Sequence, residues 1–140
     1  MKNRLLLFIA TSLSLSSLSQ AQTNGNQIID PRIAEVYGGS LDQLLNSDPD
    51  RLKILNELLN NRIKVIELDA ATAQQKFPAL NSQPIFNKYV HDLTVGPYNA
   101  ATFNPLKYDL KFFEYGDSGY WINGTNKVLF ITGFKNYTAN

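Results

Sequence analysis

Between Leu59 and Ile63 the hydrophobic period of the chain changes, and this limits the fold more than any other feature. Upstream, Leu52, Leu55, Leu58 and Leu59 recur at helical spacing, with Ile54 widening the stripe. From Arg62 onward Ile63, Val65 and Glu67 alternate with Lys64, Ile66 and Leu68, the period of a strand. The helical part begins at Asp30-Pro31, an N-cap followed by proline at the first helical position, and its first helix stops at Gly38-Gly39. Ser40 with Gln43 fits a capping box for a second short helix carrying Leu41, Leu44 and Leu45. Asp48-Pro49 repeats the cap-and-proline device before the leucine stripe, and Asn60-Asn61 closes the third helix. A stripe of this kind can be a docking face, but its ordinary role is to cover the chain's own sheet.

Downstream the strand period dominates. Ala70 to Lys76 suits a helical turn, and prolines, asparagines and a glycine make 78–105 an irregular connection in which 85–93 has no deciding period. Tyr108, Leu110 and Phe112 alternate with Lys107, Asp109 and Lys111, the pattern of a half-buried strand. Tyr120-Trp121-Ile122 is a second strand, Asn123-Gly124 a two-residue turn signal, and Val128 to Thr132 an apolar run suited to a central strand. The expected fold class is α+β, with N-terminal short helices packed on a small, mainly antiparallel sheet that ends in a C-terminal three-stranded meander. Leu52, Leu55 and Leu58 are expected to lie on a sheet face that includes Val128 or Phe130.

The first residues bear on compartment. Met1-Lys2-Asn3-Arg4 is basic, 5–10 is apolar, a Ser/Leu-rich stretch follows, and Ser19-Gln20-Ala21 places small residues where a signal peptidase reads. Serines interrupt the apolar run well short of the roughly 20 residues a membrane-spanning helix needs. The expected organisation is a signal peptide at 1–21, a disordered lead at 22–29, one α+β domain at 30–134 and a tail at 135–140. Cleavage after Ala21 leaves 119 of 140 residues, enough for one core. It removes Lys2 and Arg4 and no acid, so 13 basic against 12 acidic residues becomes 11 against 12. That balance gives no electrostatic footprint for nucleic acid. An exported chain without cysteine has neither disulfides nor a thiolate zinc site, so packing alone must hold it.

Few residues make a chemical claim. Gly116-Asp117-Ser118-Gly119 matches the tetrapeptide around the nucleophilic serine of trypsin-like proteases, but Tyr120 stands where that family has another glycine. A serine nucleophile also needs a base, and His91 is the one histidine. The tetrapeptide is therefore read as a hairpin loop. His91 beside Asp92, and Glu67 with Asp69 at the end of a strand, are the residues on which acid–base chemistry would have to rest. Asp48-Pro49-Asp50 is a helix start, without the following residues of a calcium loop. No metal site, cofactor motif or phosphate loop is expected. All aromatic residues but Phe8 and Tyr37 fall from Phe77 onward, and Tyr120 and Trp121 beside a turn are the candidate ligand-binding pair, the alternative being that they fill the core.

Phe103-Asn104-Pro105-Leu106-Lys107-Tyr108, Phe112-Phe113, the run "YWINGTNKVLFI" and the leader ending "LSQAQ" resemble small uncharacterised exported proteins of Bacteroidetes-type bacteria. The resemblance covers the last third and the leader. It implies a periplasmic or secreted setting and brings no activity or site residues. In that setting the sequons at Asn123 and Asn136 are incidental. The expected function is a small exported binding or structural module of the bacterial cell envelope, without catalysis. Its partner would be an envelope protein, a peptide or a glycan, with no transmembrane anchor in the mature chain. The alternative is a small secreted hydrolase using carboxylates or His91. Intact-mass measurement of the exported protein is expected to give a chain beginning at Gln22; one beginning at Met1 would contradict the leader.

Overall fold

The computed structural model describes residues 23–24, 27–85 and 89–137, and the leader lies outside these residues. Its elements are α+β, as the change of period predicts. Strands β1 (Thr23–Asn24) and β2 (Gln27–Ile28) form a small antiparallel ladder. Helices α1 (Pro31–Tyr37), α2 (Leu41–Ser47) and α3 (Pro49–Glu57) follow. Strand β3 (Ile63–Glu67) and helix α4 (Ala70–Lys76) precede a long irregular connection, and β4 (Ser118–Ile122) and β5 (Lys127–Ile131) complete the structure. The main sheet is antiparallel with β5 in the centre, β3 on one side and β4 on the other.

The caps explain where the helices start. Asp30 accepts from the Arg32 N–H at 2.9 Å and Asp48 from the Arg51 N–H at 3.0 Å, each followed by proline at the first helical position. Asp69 caps α4 through the N–H groups of Ala71 and Thr72. Gly38 ends α1 at a φ of 52°, a conformation that favours glycine. Ser40 differs from expectation. It makes no side-chain cap bond, because a turn of 3-10 helix at Gly38–Ser40 runs directly into α2.

Two strand expectations change. The 108–112 segment keeps its alternating burial, with Tyr108 and Leu110 inward and Asp109 and Lys111 exposed. Its backbone, however, bonds locally: Leu110 N–H to Tyr108 O at 3.1 Å and Phe112 N–H to Leu110 O at 2.9 Å. These i to i+2 bonds are those of successive γ-turns, so a period of two arises without a ladder. Beyond an isolated bridge to Ile85, 108–112 joins no strand, and β3 supplies the third strand instead. The β4–β5 connection also differs, since Ile122 pairs with Lys127 and leaves a four-residue loop. Gly124 adopts the positive φ of 75°, Thr125 N–H bonds Ile122 O at 3.1 Å, and the Trp121 indole N–H closes the loop on Thr125 O at 2.9 Å. Glycine at the third position of such a turn is the type II arrangement.

Strand pairing assigns the two sheet faces. Leu129 and Ile131 of β5 share a face with Tyr120 of β4 and Ile63 of β3. They join Ile33, Leu52, Leu55 and Leu58 in one continuous core. The expected Val128–Phe130 face is thus one residue out of register, which in a strand is the opposite side of the sheet. That opposite side is served by α4, which approaches β5 and buries Ala73, and by Phe77. A Cβ on Gly119 would lie 2.5 Å from the Phe77 ring, so the glycine gives the ring its seat. The stretch expected as a disordered lead contributes as well: Ile29 is 1% exposed and belongs to the core. The expected tail is also tied in as far as Tyr137, whose hydroxyl donates to Glu57.

Helix α3 widens into a π turn at Leu58–Arg62, closed by the Ile63 N–H on Leu58 O, and this turns Arg62 inward. Arg62 is 2% exposed. Its Nε donates to Thr132 O at 3.0 Å and its Nη2 to Phe112 O at 2.7 Å, while the guanidinium lies 4.2 Å from the centre of the Phe134 ring. Truncation should show the difference between packing and polar contributions. Leu55→Ala is expected to cost about 2–5 kcal/mol, the usual cost of emptying a buried leucine site. Arg62→Ala is expected to cost about 3 kcal/mol by stranding two carbonyls. Urea melts measure both, and a loss below about 1 kcal/mol for either would remove it from the framework.

Candidate binding cleft

Among the described residues lies an open cleft of about 720 Å³. One wall is the first turn of α1, the other is the loop from Val95 to Asn104, and Asn81 and Asn123 lie at one end. The volume falls in the range of small-ligand sites.

Asn104 builds the junction between the walls. It is a buried N-cap followed by Pro105, the same device that starts α1 and α3. Its Nδ2 donates to Arg32 O and to Glu35 Oε2, both at 2.9 Å, and its Oδ1 accepts from the Leu106 N–H at 3.1 Å. Lys107 follows on the resulting 3-10 turn and pairs with Glu35. Burial alone would raise the Glu35 carboxyl, but hydrogen bonds from Lys107 and Asn104 outweigh it and hold the group below its ordinary value of 4.5. Arg32 is held by Asp30, with its Nε at 3.0 Å and its Nη2 at 2.7 Å from the carboxylate. That hydrogen bond is the main cause lowering the Asp30 pKa. Each charge at the cleft thus has an opposite partner beside it.

The remaining surface is aromatic and amide. Tyr98 and Phe103 meet edge to face with ring centres 5.2 Å apart. Tyr108 lines the cleft while being only 8% exposed, and its hydroxyl has no hydrogen-bond partner among the described residues, nor is it sealed from solvent. Burial raises its pKa above 10.0, so the phenol stays neutral. Asn81 donates its backbone N–H to Asn123 Oδ1 at 3.0 Å and leaves its own amide unengaged.

The residues singled out in the sequence are placed elsewhere. Tyr120 is 4% exposed, and its hydroxyl accepts from the Lys111 N–H at 3.2 Å, which makes it a core residue. Trp121 is half-buried over its own turn. Ser118 begins β4 rather than forming a hairpin tip, and its hydroxyl is buried without a partner, so nothing activates it. Its neighbour Asp117 accepts from the Gly133 N–H at 2.8 Å and from Asn136 at 2.9 Å, a structural role. Glu67 pairs with Lys127 across the strands at 3.1 Å, and Asp69 caps a helix. No hydrogen bond or ion pair joins His91 to Asp92, Glu67 or Asp69, and none of the four lines the cleft. No group of three or more metal-ligating side chains occurs among the described residues, and none of their helices is long and apolar enough to cross a membrane.

The cleft residues themselves carried a sequence signal in only two places. Asn104-Pro105 repeats the Asp30-Pro31 and Asp48-Pro49 pattern, and Arg32 and Glu35 fall three apart, on one side of a helix. No family model, curated protein or solved structure matches the chain.

The Glu35 junction makes a pH-dependent contribution. A carboxyl whose folded pKa is depressed stabilises the fold above its unfolded pKa, and that stability is lost as pH falls through the folded value. The wild-type chain is therefore expected to lose urea resistance below about pH 4.5 in part through Glu35. Glu35→Gln should lower stability at pH 7 and narrow its distance from wild type toward pH 3. Parallel pH profiles for the two proteins would contradict the assignment.

Proposed function

We propose that the protein is a small exported binding module of the bacterial cell envelope, which takes its ligand in the cleft between α1 and the 95–104 loop. The observation that carries this reading is the makeup of the cleft. Its walls are fixed to each other by Asn104, Glu35 and Lys107, while the Tyr98 and Phe103 rings, partly exposed and partly packed against the core, line it together with Tyr108, whose hydroxyl is unengaged. A prearranged concave surface of aromatic and amide groups is suited to binding, because little ordering is left for the ligand to impose. The basic leader, apolar run and Ser19-Gln20-Ala21 end support export.

Hydrolysis is supported less well. Glu35 is the one carboxylate in the cleft lining, and it is engaged by a lysine and an amide. Acid–base cleavage of a glycosidic bond uses two carboxyl groups at a set separation. Neither His91 nor the Glu67 and Asp69 carboxylates reach this surface.

The mature chain, from Gln22 onward, is suited to a thermal-shift screen against neutral saccharides, charged saccharides, amino acids, short peptides and nucleotides. At least one class is expected to raise Tm, as any ligand selective for the folded state must, and the shift is expected to shrink in Phe103→Leu. Shifts insensitive to Phe103→Leu would move binding elsewhere. Turnover of a bound compound would replace the binding reading with the hydrolase.

A further inference from the structure

The geometry points to a neutral oligosaccharide as the ligand of the cleft, an inference that rests on the cleft being the binding site. Three features of the lining converge on this class. The first is charge. Arg32 is matched by Asp30 and Glu35 by Lys107, so the site presents no unbalanced charge to an anionic or cationic ligand. A charged ligand would meet at most the outer edge of a guanidinium whose charge Asp30 already balances, which penalises sulfated, uronate-bearing or strongly charged ligands relative to neutral ones.

The second is the type of polar group left over. The Tyr108 hydroxyl, the Asn81 amide and Nη1 of Arg32 have no protein partner among the described residues. Hydroxyl and amide groups can each serve as both donor and acceptor, and the guanidinium adds a planar donor pair. A ring bearing vicinal hydroxyls is the partner that uses such a mixed set. Tyr108 is the most telling, since a nearly buried phenol with an unengaged hydroxyl on a cleft is a donor waiting for a ligand acceptor or water.

The third is the aromatic rim. Tyr98 and Phe103 are partly exposed, and their edge-to-face contact fixes one ring against the other. A rigid aromatic face suits the apolar C–H face of a pyranose, burying area at low entropic cost. An extended peptide, by contrast, recognises free backbone groups along a strand edge. The cleft walls are a helix and an irregular loop; of the main sheet's two edge strands, β3 contributes no residue to the lining and β4 only Ile122, and the outer edge of β4 is already engaged where the Trp121 N–H bonds Pro78 O at 2.9 Å.

Nitrogen-15 correlation spectra of the mature chain, titrated with tetrasaccharides of glucose, mannose and N-acetylglucosamine, test the assignment. Parallel titrations use sulfated and uronate-bearing tetrasaccharides and a mixed library of extended octapeptides. At least one neutral tetrasaccharide is expected to shift amides in 98–108. Tyr108→Phe is expected to weaken that binding about threefold to tenfold, the loss of one net hydrogen bond. Tyr98→Leu, at the rim, is the second variant should Tyr108→Phe fail to fold. Tyr115→Ala, 69% exposed and outside the lining, is expected to leave affinity unchanged. Cleft shifts from the charged sugars or peptides alone would overturn the neutral saccharide while leaving the cleft as a binding site. Absence of cleft shifts in every titration would overturn both.

Discussion

A single arginine ties together the three segments on which this domain depends. The side chain of Arg62 leaves the end of α3 and reaches carbonyl oxygens of Phe112 and Thr132, which are 50 and 70 residues away in the chain. One of these ends the γ-turn segment and the other follows β5. Its backbone also takes part, since Thr132 N–H bonds Arg62 O at 2.9 Å. Burial lowers the guanidinium pKa, with Tyr137 and Glu57 opposing the shift, but arginine has far more reserve than lysine before it would lose its proton. A planar fork can serve two carbonyls at once, whereas an ammonium is a point donor. In a chain without cysteine, this polar clasp joins segments that no disulfide can join.

The clasp also fixes the course of the chain after β5. Phe134 stacks on the guanidinium, Phe134 and Lys135 bond back to Glu114 and Tyr115, and Gly133 passes so close to 115–116 that a Cβ would sit 2.3 Å from the Gly116 backbone. Asp117 then holds the Gly133 N–H. The tetrapeptide that resembles a protease motif is therefore part of this crossing. Gly133 lets the two backbones meet, Asp117 of the tetrapeptide fastens the crossing, and the tetrapeptide's serine hydroxyl is sealed inside.

The elements most legible in the sequence were those governed by local chemistry. The Asp-Pro helix starts, the Gly38 stop and the period change at Arg62 each reflect interactions within a few residues, and each has its counterpart in the structure. Long-range pairing was less legible. Nothing in 108–112 distinguishes a strand from successive γ-turns, because both bury alternate side chains. The register of the helical face on β5 was equally hidden, since Val128, Leu129, Phe130 and Ile131 form an unbroken apolar run. Leu129 and Ile131 face the helices only because α4 and Phe77 fill the other side. Tyr120 and Trp121 drew attention as aromatics beside a turn, yet their polar atoms close local bonds. The cleft arises from residues some 70 positions apart, Arg32 and Glu35 with Asn104 and Lys107, and a single sequence carries no sign of that proximity.

Fold and site are coupled through Asn104. Its side chain satisfies the carbonyl of Arg32, the carboxylate of Glu35 and the N–H of Leu106, so it fixes the irregular loop against α1 at a point where neither segment has regular backbone partners in the other. An amide is the side chain able to do this, because it donates twice and accepts on the same planar group. The consequence is that the aromatic rim, carried by an irregular loop of a kind that is generally more mobile than helices or strands, is held from its base. On the binding reading proposed above, rigidity at the base and free polar groups along the lining would keep the ordering cost of a weakly interacting ligand small. The charged residues of the cleft are paired with one another or with Asp30, and through Asn104, Glu35 and Lys107 they hold the walls together.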